Sequence, residues 1–286
     1  MRTRHFSQFP KPYFAYPKVI QGLILKNKRL EQQLPEVEYV VDAFHVDAKH
    51  LRAYNQICGF SNNGYVPAIY FAVLSQSLQM QMMTQEAFPF AILGLVHIHN
   101  QVTQYKPLAA NFQYRLSCRF GEMKPHHKGQ QFEFITEVYV GNDVVMHGVS
   151  TYLARQKTNN ARVEEKPTEK ANLEWMLHDR WSIRESTGRR YALISGDVNP
   201  IHLHTLTAKA FGFKQAIAHG MWTKAKALAA LSLPEKYQAD VSFKLPVFLP
   251  SEVELMTHQQ SKTINQFLIR NAKSHKPHVV GEILSL

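Results

Sequence analysis

The chain has 286 residues, 45% hydrophobic and 19% charged, which is long enough for two cores and too apolar for a disordered segment. Cys58 and Cys118, the only cysteines, have neither zinc nor disulfide spacing and suit a reducing compartment. Lys and Arg outnumber Asp and Glu by 33 to 22, a formal charge of +11, so the chain either attracts an anionic partner or carries an inert basic surface. The basic residues are not massed and do not alternate with aromatics, which argues against nucleic acid and favours a nucleotide-bearing or acidic partner. The opening "MRTRHFSQFPKPYFAYPK" has no apolar core behind its basic residues and does not read as a secretory signal. The most apolar run, "FPFAILGLVHI", is too short to span a bilayer. A cytoplasmic protein is expected.

In chain order, "VEYVVDAFHVD" alternates as a strand and is followed by "LRAYNQICGF", a short "SNNGY" loop, and "VPAIYFAVLSQSLQM". The last of these is a helix with apolar residues on more than one face, hence buried. Four strand-like runs follow: "LVHIHNQV", "ANFQYRLSCRF", "QQFEFITEVYV" and "VVMHGVSTYLA". A polar stretch, "RQKTNNARVEEKPTEKAN" at residues 155 to 172, reads as a linker.

The second half repeats this order. "EWMLHDRWSI" is strand-like, "RRYALISGD" leads through "VNPIHLHTLTAKAFGFKQAIA" to the helix "HGMWTKAKALAALSL", and four strand-like runs close the chain. Tyr54 matches Tyr191, and Gly59 matches Gly196. One buried helix and about four antiparallel strands per half predict an α+β architecture in which a curved sheet wraps each helix, with the halves joined in one sheet.

The halves differ in one place. From Gly59 to Pro67 the chain spends 8 positions, and from Gly196 to His219 it spends 23, so the second half carries 15 additional residues. Within them Asn199 is a good N-cap and Pro200 suits the first helical position, so "NPIHLHTLTAKAFGF" opens a helix whatever else it does. The first half has Phe60 where the second has Asp197, and it lacks any "NPIH".

The string "YALISGDVNPIH", with "AKAFGF" and "IAHGMW" after it, resembles the hydratase-2 motif of the MaoC-like dehydratases, closely over residues 181 to 231. The resemblance implies a double hot-dog fold: residues 1–154 as a degenerate N-terminal hot dog without the catalytic overhang, 155–172 as linker, and 173–286 as the C-terminal hot dog. It implies that Asp197 and His202 activate the water that adds across a trans-2-enoyl thioester. A carboxylate and an imidazole converging on one water can take its proton and return one to the α-carbon. It also implies that the Gly220 backbone N–H, at the start of the central helix, stabilises the thioester oxyanion. Asn199 would support the loop, and Met221 and Tyr65 would touch substrate. His219 is either pocket wall or a packed polar residue. In families of this layout, loss of the overhang opens a tunnel for a long acyl chain, lined here by "FSNNGYVPAIYF".

The activity implied is an (R)-specific hydratase or dehydratase on enoyl-CoA and (R)-3-hydroxyacyl-CoA, with coenzyme A as thioester carrier and no other cofactor. The alternatives are the same chemistry on an acyl carrier protein, or a non-catalytic acyl-thioester-binding hot dog. Arg189, Arg190, Lys214, Lys224 and Lys244 are candidates for the phosphates. Although 15 histidines are present, no set has the spacing of a zinc motif, so no metal is expected; His97 and His99, two apart on a strand, should point the same way. A monomer or a homodimer is compatible with a double hot dog.

Overall fold

A computed structural model describes residues 1–11, 33–156 and 174–286. Of the stretch read as a linker, all but Arg155 and Gln156 lies outside these residues. The elements of the first half are β1 (Arg2–Phe6), β2 (Val37–His45), α1 (Ala48–Cys58), α2 (Ala68–Met83), β3 (Leu95–Gln104), β4 (Gln113–His126), β5 (Gly129–Val140) and β6 (Asp143–Arg155). Those of the second half are β7 (Met176–Ile183), α3 (Thr187–Ser195), α4 (Pro200–Leu203), α5 (Thr205–Ala210), α6 (Gly220–Ala230), β8 (Tyr237–Phe243), β9 (Ser251–Gln259), β10 (Ile264–Asn271) and β11 (Pro277–Ser285).

Eleven strands make one sheet in the order β1-β2-β4-β5-β6-β3-β8-β11-β10-β9-β7. The β1–β2 pair is parallel, and the other pairs are antiparallel. First-half strands occupy one side and second-half strands the other, meeting at the β3–β8 seam, where His99 to Gln104 pair with Ser242 to Tyr237. β1 was not anticipated, because its alternating residues are nearly all exposed and the ladder to β2, rather than burial, holds it.

α2 buries residues on every side between Ala68 and Met83, as the apolar residues spread around its circumference dictate. α6 buries Trp222, Thr223, Lys224, Ala225, Ala227 and Leu228. The expected pairing of the halves is visible at the preceding helices. α1 ends on Gly59 at φ 95°, α3 ends on Gly196 at φ 74°, and each glycine N–H caps its own helix. Both left-handed conformations suit glycine. Tyr54 and Tyr191, fully buried, lie with ring centroids 6.4 Å apart.

Two local readings need correction. The helix expected from Asn199 onward is two short helices, broken at His204, whose extended backbone (φ −155°, ψ 150°) ends α4 and starts α5. Its imidazole Nδ1 accepts from Leu206 N at 3.1 Å, so His204 acts as a second cap. His97 and His99 do not point the same way. A register shift between them against β6 inserts an extra residue, and a bulge of this kind exchanges the faces on either side of it. His99 lies on the outer face with Asp240 at 2.7 Å, while His97 stacks on Tyr152 on the helix side.

Lys224 is corrected as a phosphate candidate. It is fully buried on α6, and its ammonium donates to Asn100 O (2.8 Å), Asn100 Oδ1 (2.7 Å) and Ala239 O (3.0 Å). Asn100 lies on β3 and Ala239 on β8, so one lysine ties the central helix to both sides of the seam. Burial, opposed by Asp240, pushes its pKa down to about 7. Three acceptors match the three N–H bonds of the charged form.

Candidate active site

Each turn of the second half's additional segment is fixed locally. After Gly196, Asp197 N donates to Ser195 Oγ (3.2 Å), and Asp197 Oδ1 accepts from Asn199 N (3.3 Å), an Asx turn that holds the carboxylate over the loop. Asn199 caps α4 by accepting from Ile201 N at 3.4 Å, with Pro200 in the first helical position. His202 follows, buried, and its Nδ1 lies 2.8 Å from Ile217 O. A backbone carbonyl can only accept, so Nδ1 carries the proton and Nε2 is left as the basic nitrogen. Ile217 N returns a bond to Ile201 O at 3.0 Å, so His202 is clamped from both sides. α3 presses on this clamp: a Cβ at Gly188 would fall 2.1 Å from His202 O, so only glycine permits the approach.

His219 caps the chain ahead of α6 and is 3% exposed. Its ring stacks on His202 with centroids 3.7 Å apart and 24° between planes. Its Nε2 donates to Asp197 O at 2.9 Å and lies 3.9 Å from Asp197 Oδ2. The imidazole therefore braces the Asp197 loop. The Asp197 side chain keeps 27% of its surface exposed, so the open side of the cluster is the carboxylate side. Ligand atoms of Asp197, His202 and His219 lie within 4.8 Å of one another. Sequence spacing showed no such set, but the fold assembles one from residues as far as 22 apart.

α6 starts beside this cluster without a side-chain cap, leaving its first-turn N–H groups unclaimed by any side chain. Phe243 lies against Gly220, where an added Cβ would meet its ring at 3.0 Å. Met221 is half-buried against the core. Tyr65 is not brought here. It is half exposed and lines a cavity of about 480 Å³ with Pro67, Leu228 and Leu231, at the far end of α6 from Gly220. Its loop is held to the β3–β4 connection by Val66 N to Leu108 O (2.7 Å) and Ala110 N to Gly64 O (2.9 Å). α6 separates the two places by roughly 15 Å.

The electrostatics favour a carboxylate beside neutral imidazoles. Burial acts to raise the Asp197 pKa, but His219, His202, the Asn199 N–H and the Gln76 side chain outweigh it and hold Asp197 below the usual carboxylate value. Burial depresses His202, against the opposing pull of Asp197 and the Ile217 carbonyl. Burial and the neighbouring His202 depress His219.

Gln76 comes from α2, in the first half. So do two further neighbours of the carboxylate, Tyr152 on β6 and His97 on β3, stacked with centroids 4.6 Å apart. Tyr152 OH donates to Gln79 Oε1 at 3.2 Å, and His97 meets Phe243 at 5.1 Å. The first half lacks the overhang but supplies one wall of the site. A signal for Gln76 existed in "VLSQSLQM", a polar run inside an otherwise apolar helix. His97 was read as sharing a face with His99; the bulge turns it inward instead.

Residues 163–279 match the MaoC like domain family. The 3-hydroxyacyl-thioester dehydratase X of Mycobacterium tuberculosis (strain ATCC 25618 / H37Rv) is 32% identical over 256 residues, covering 89% of this chain and 91% of that protein. The crystal structure of HtdX from the same organism aligns with TM-score 0.76 at 30% identity, over 87% of this chain and 100% of that one. A MaoC-like dehydratase from Phytophthora capsici aligns with TM-score 0.70 at 19% identity, over 89% and 96%, a likeness of fold. The fold is a double hot dog, and the class is hydro-lyase. The chain belongs to the MaoC-like dehydratase family.

Proposed function

We propose that the protein interconverts trans-2-enoyl-CoA and (R)-3-hydroxyacyl-CoA, with coenzyme A as the thioester carrier and no separate cofactor. The observation that carries the reading is the meeting of the Asp197 carboxylate and the His202 imidazole, its basic Nε2 unprotonated, beside the uncapped start of α6.

In the hydration direction, water sits between Asp197 and His202. As its oxygen bonds to the β-carbon, one proton passes to this pair, the π electrons move towards the thioester carbonyl, and a proton returns to the α-carbon. Negative charge gathers on the carbonyl oxygen, where the Gly220 N–H and the positive end of α6 stabilise it. Asn199 and His219 position Asp197 through its backbone and loop. The exposed Arg189, Arg190, Lys214 and Lys244 are the remaining candidates for the phosphates of coenzyme A.

The test is to follow the loss of enoyl absorbance with trans-2-enoyl-CoA substrates of increasing length, with chiral analysis of the product. Asp197→Asn should lower kcat by about 10²-fold or more while the protein melts as wild type. Wild-type rates in that variant, or an (S)-product, would overturn the assignment.

A further inference from the structure

The wall that the first half gives the site is open in front and solid behind. Gln76 on α2, His97 on β3, Tyr152 on β6 and Phe243 on β8 are each partly exposed, although they lie in the interior between sheet and helices. They therefore border a cleft. Phe243 lies against Gly220 and meets His97, whose ring is nearly parallel to that of Tyr152, with 13° between planes. The His97–Tyr152 stack is thus one ring removed from the start of α6. Behind Tyr152 stand Phe132 and Phe134, both fully buried, with ring centroids 5.8 and 5.9 Å away. Phe88 and Phe90 follow, each 5.4 Å from Phe132. A chain of hydrogen bonds also fixes Tyr152. Its OH donates to Gln79 Oε1 (3.2 Å), Gln79 Nε2 donates to Ser75 Oγ (3.2 Å), and Ser75 Oγ donates to Ala72 O (3.0 Å). Gln79 and Ser75 are buried, so turning the tyrosine aside would leave the Gln79 oxygen without its donor.

We propose that the His97–Tyr152 stack ends the acyl-binding cleft, so that the protein takes short-chain acyl thioesters whose tails stop within a few carbons of the reacting double bond. The inference deepens the reading above and rests on it. With the carbonyl at Gly220 and the β-carbon at Asp197 and His202, the rest of the acyl group meets the wall from the first half. Gln76, His97 and Tyr152 are the groups of that wall within electrostatic range of the Asp197 carboxylate. A longer tail must displace rings that packing and hydrogen bonds hold in place. The lining opposes it as well, since an amide and an imidazole lose contact with water and gain no partner from hydrocarbon. The loop of Tyr65, expected to line a tunnel for a long chain, stands elsewhere, beside its own cavity at the far end of α6.

The experiment measures kcat/KM for trans-2-butenoyl-CoA and trans-2-decenoyl-CoA with wild type, Tyr152→Ala and His97→Ala. The readout is the ratio of the two substrates within each preparation, which does not depend on the fraction of protein folded. Wild type should favour the butenoyl substrate by about tenfold or more. Each variant opens the end of the cleft and should bring that ratio down by about tenfold, whatever it does to the rate on the short substrate. If Tyr152→Ala fails to fold, His97→Ala, which removes the front ring of the stack and leaves the Tyr152–Gln79 bond in place, carries the test. Wild-type rates on decenoyl-CoA equal to or above those on butenoyl-CoA would overturn the proposal and place the tail beside Tyr65 instead. An unchanged ratio in the folded variants would also overturn it, because the stack would then not be the end of the cleft. Absence of turnover by wild type on both substrates would instead overturn the function proposed above.

Discussion

At the residue scale, Gln76 tests whether the first half shares in the chemistry. Its side chain is among the groups that lower the Asp197 pKa, so removing it takes away one of the influences that hold that carboxylate in its charged form. Gln76→Leu should lower kcat by roughly tenfold and shift the acid limb of the pH–rate profile upward. An unchanged profile would make Gln76 mere packing. The buried histidines set a second expectation. His202 and His219 both have folded pKa values below the ordinary 6.5, so as the pH drops below 6.5 the unfolded chain takes up protons first. Asp197, depressed below 3.8, acts in the same sense at lower pH. Stability present above pH 6.5 should therefore be lost progressively on acidification. Urea midpoints between pH 7 and pH 4 should show this decline, and His219→Phe should make it shallower. Asp197, Asn199 and His202 were legible because they share one string whose cap and turn chemistry is local. Gln76, His97 and Tyr152 come within electrostatic range of the same carboxylate through tertiary structure, which no string records.

At the element scale, the overhang is a chain of short pieces, each tied to the next: Gly196 turns α3, Asn199 caps α4, His204 starts α5, and Ile217 returns to Ile201. Its weakest tolerance is at Gly188, where α3 meets the backbone of α4. Gly188→Ala should cost about 1–3 kcal/mol in stability by overpacking. It should also reduce kcat at temperatures where the variant is folded, because the residue displaced is His202. Thermal melts and rates on the same preparation would separate the two effects, and an unaffected kcat would show that α3 alone absorbs the strain. Alternation and apolar helices predicted every strand from β2 onward and both central helices. The break at His204 was not predicted, because a histidine carries no strong breaking signal. β1 was hidden by its charged, exposed residues.

At the scale of the whole molecule, the seam between β3 and β8 carries the main prediction. Lys224 satisfies three acceptors on both sides of it, and Asn100 is tied further to Ser150 Oγ at 3.0 Å. Lys224→Met would leave two carbonyl oxygens and one amide oxygen buried without their donor, at a cost of roughly 2–3 kcal/mol. A lower urea midpoint would register it; a midpoint at the wild-type value would mean that water replaces the ammonium. The duplication itself was legible, from Tyr54 and Tyr191, from the two glycine caps and from the unequal loops. Which face of α6 would point at the seam was not, because a lysine in a helix reads as a surface residue until its neighbours are known.

The continuous sheet has one more consequence. The carboxylate of Asp197 and the amide of Gln76 belong to halves that meet within a single polypeptide. Completing the site is then a unimolecular event, governed by chain connectivity rather than by collision between subunits. Specific activity should hold constant on dilution.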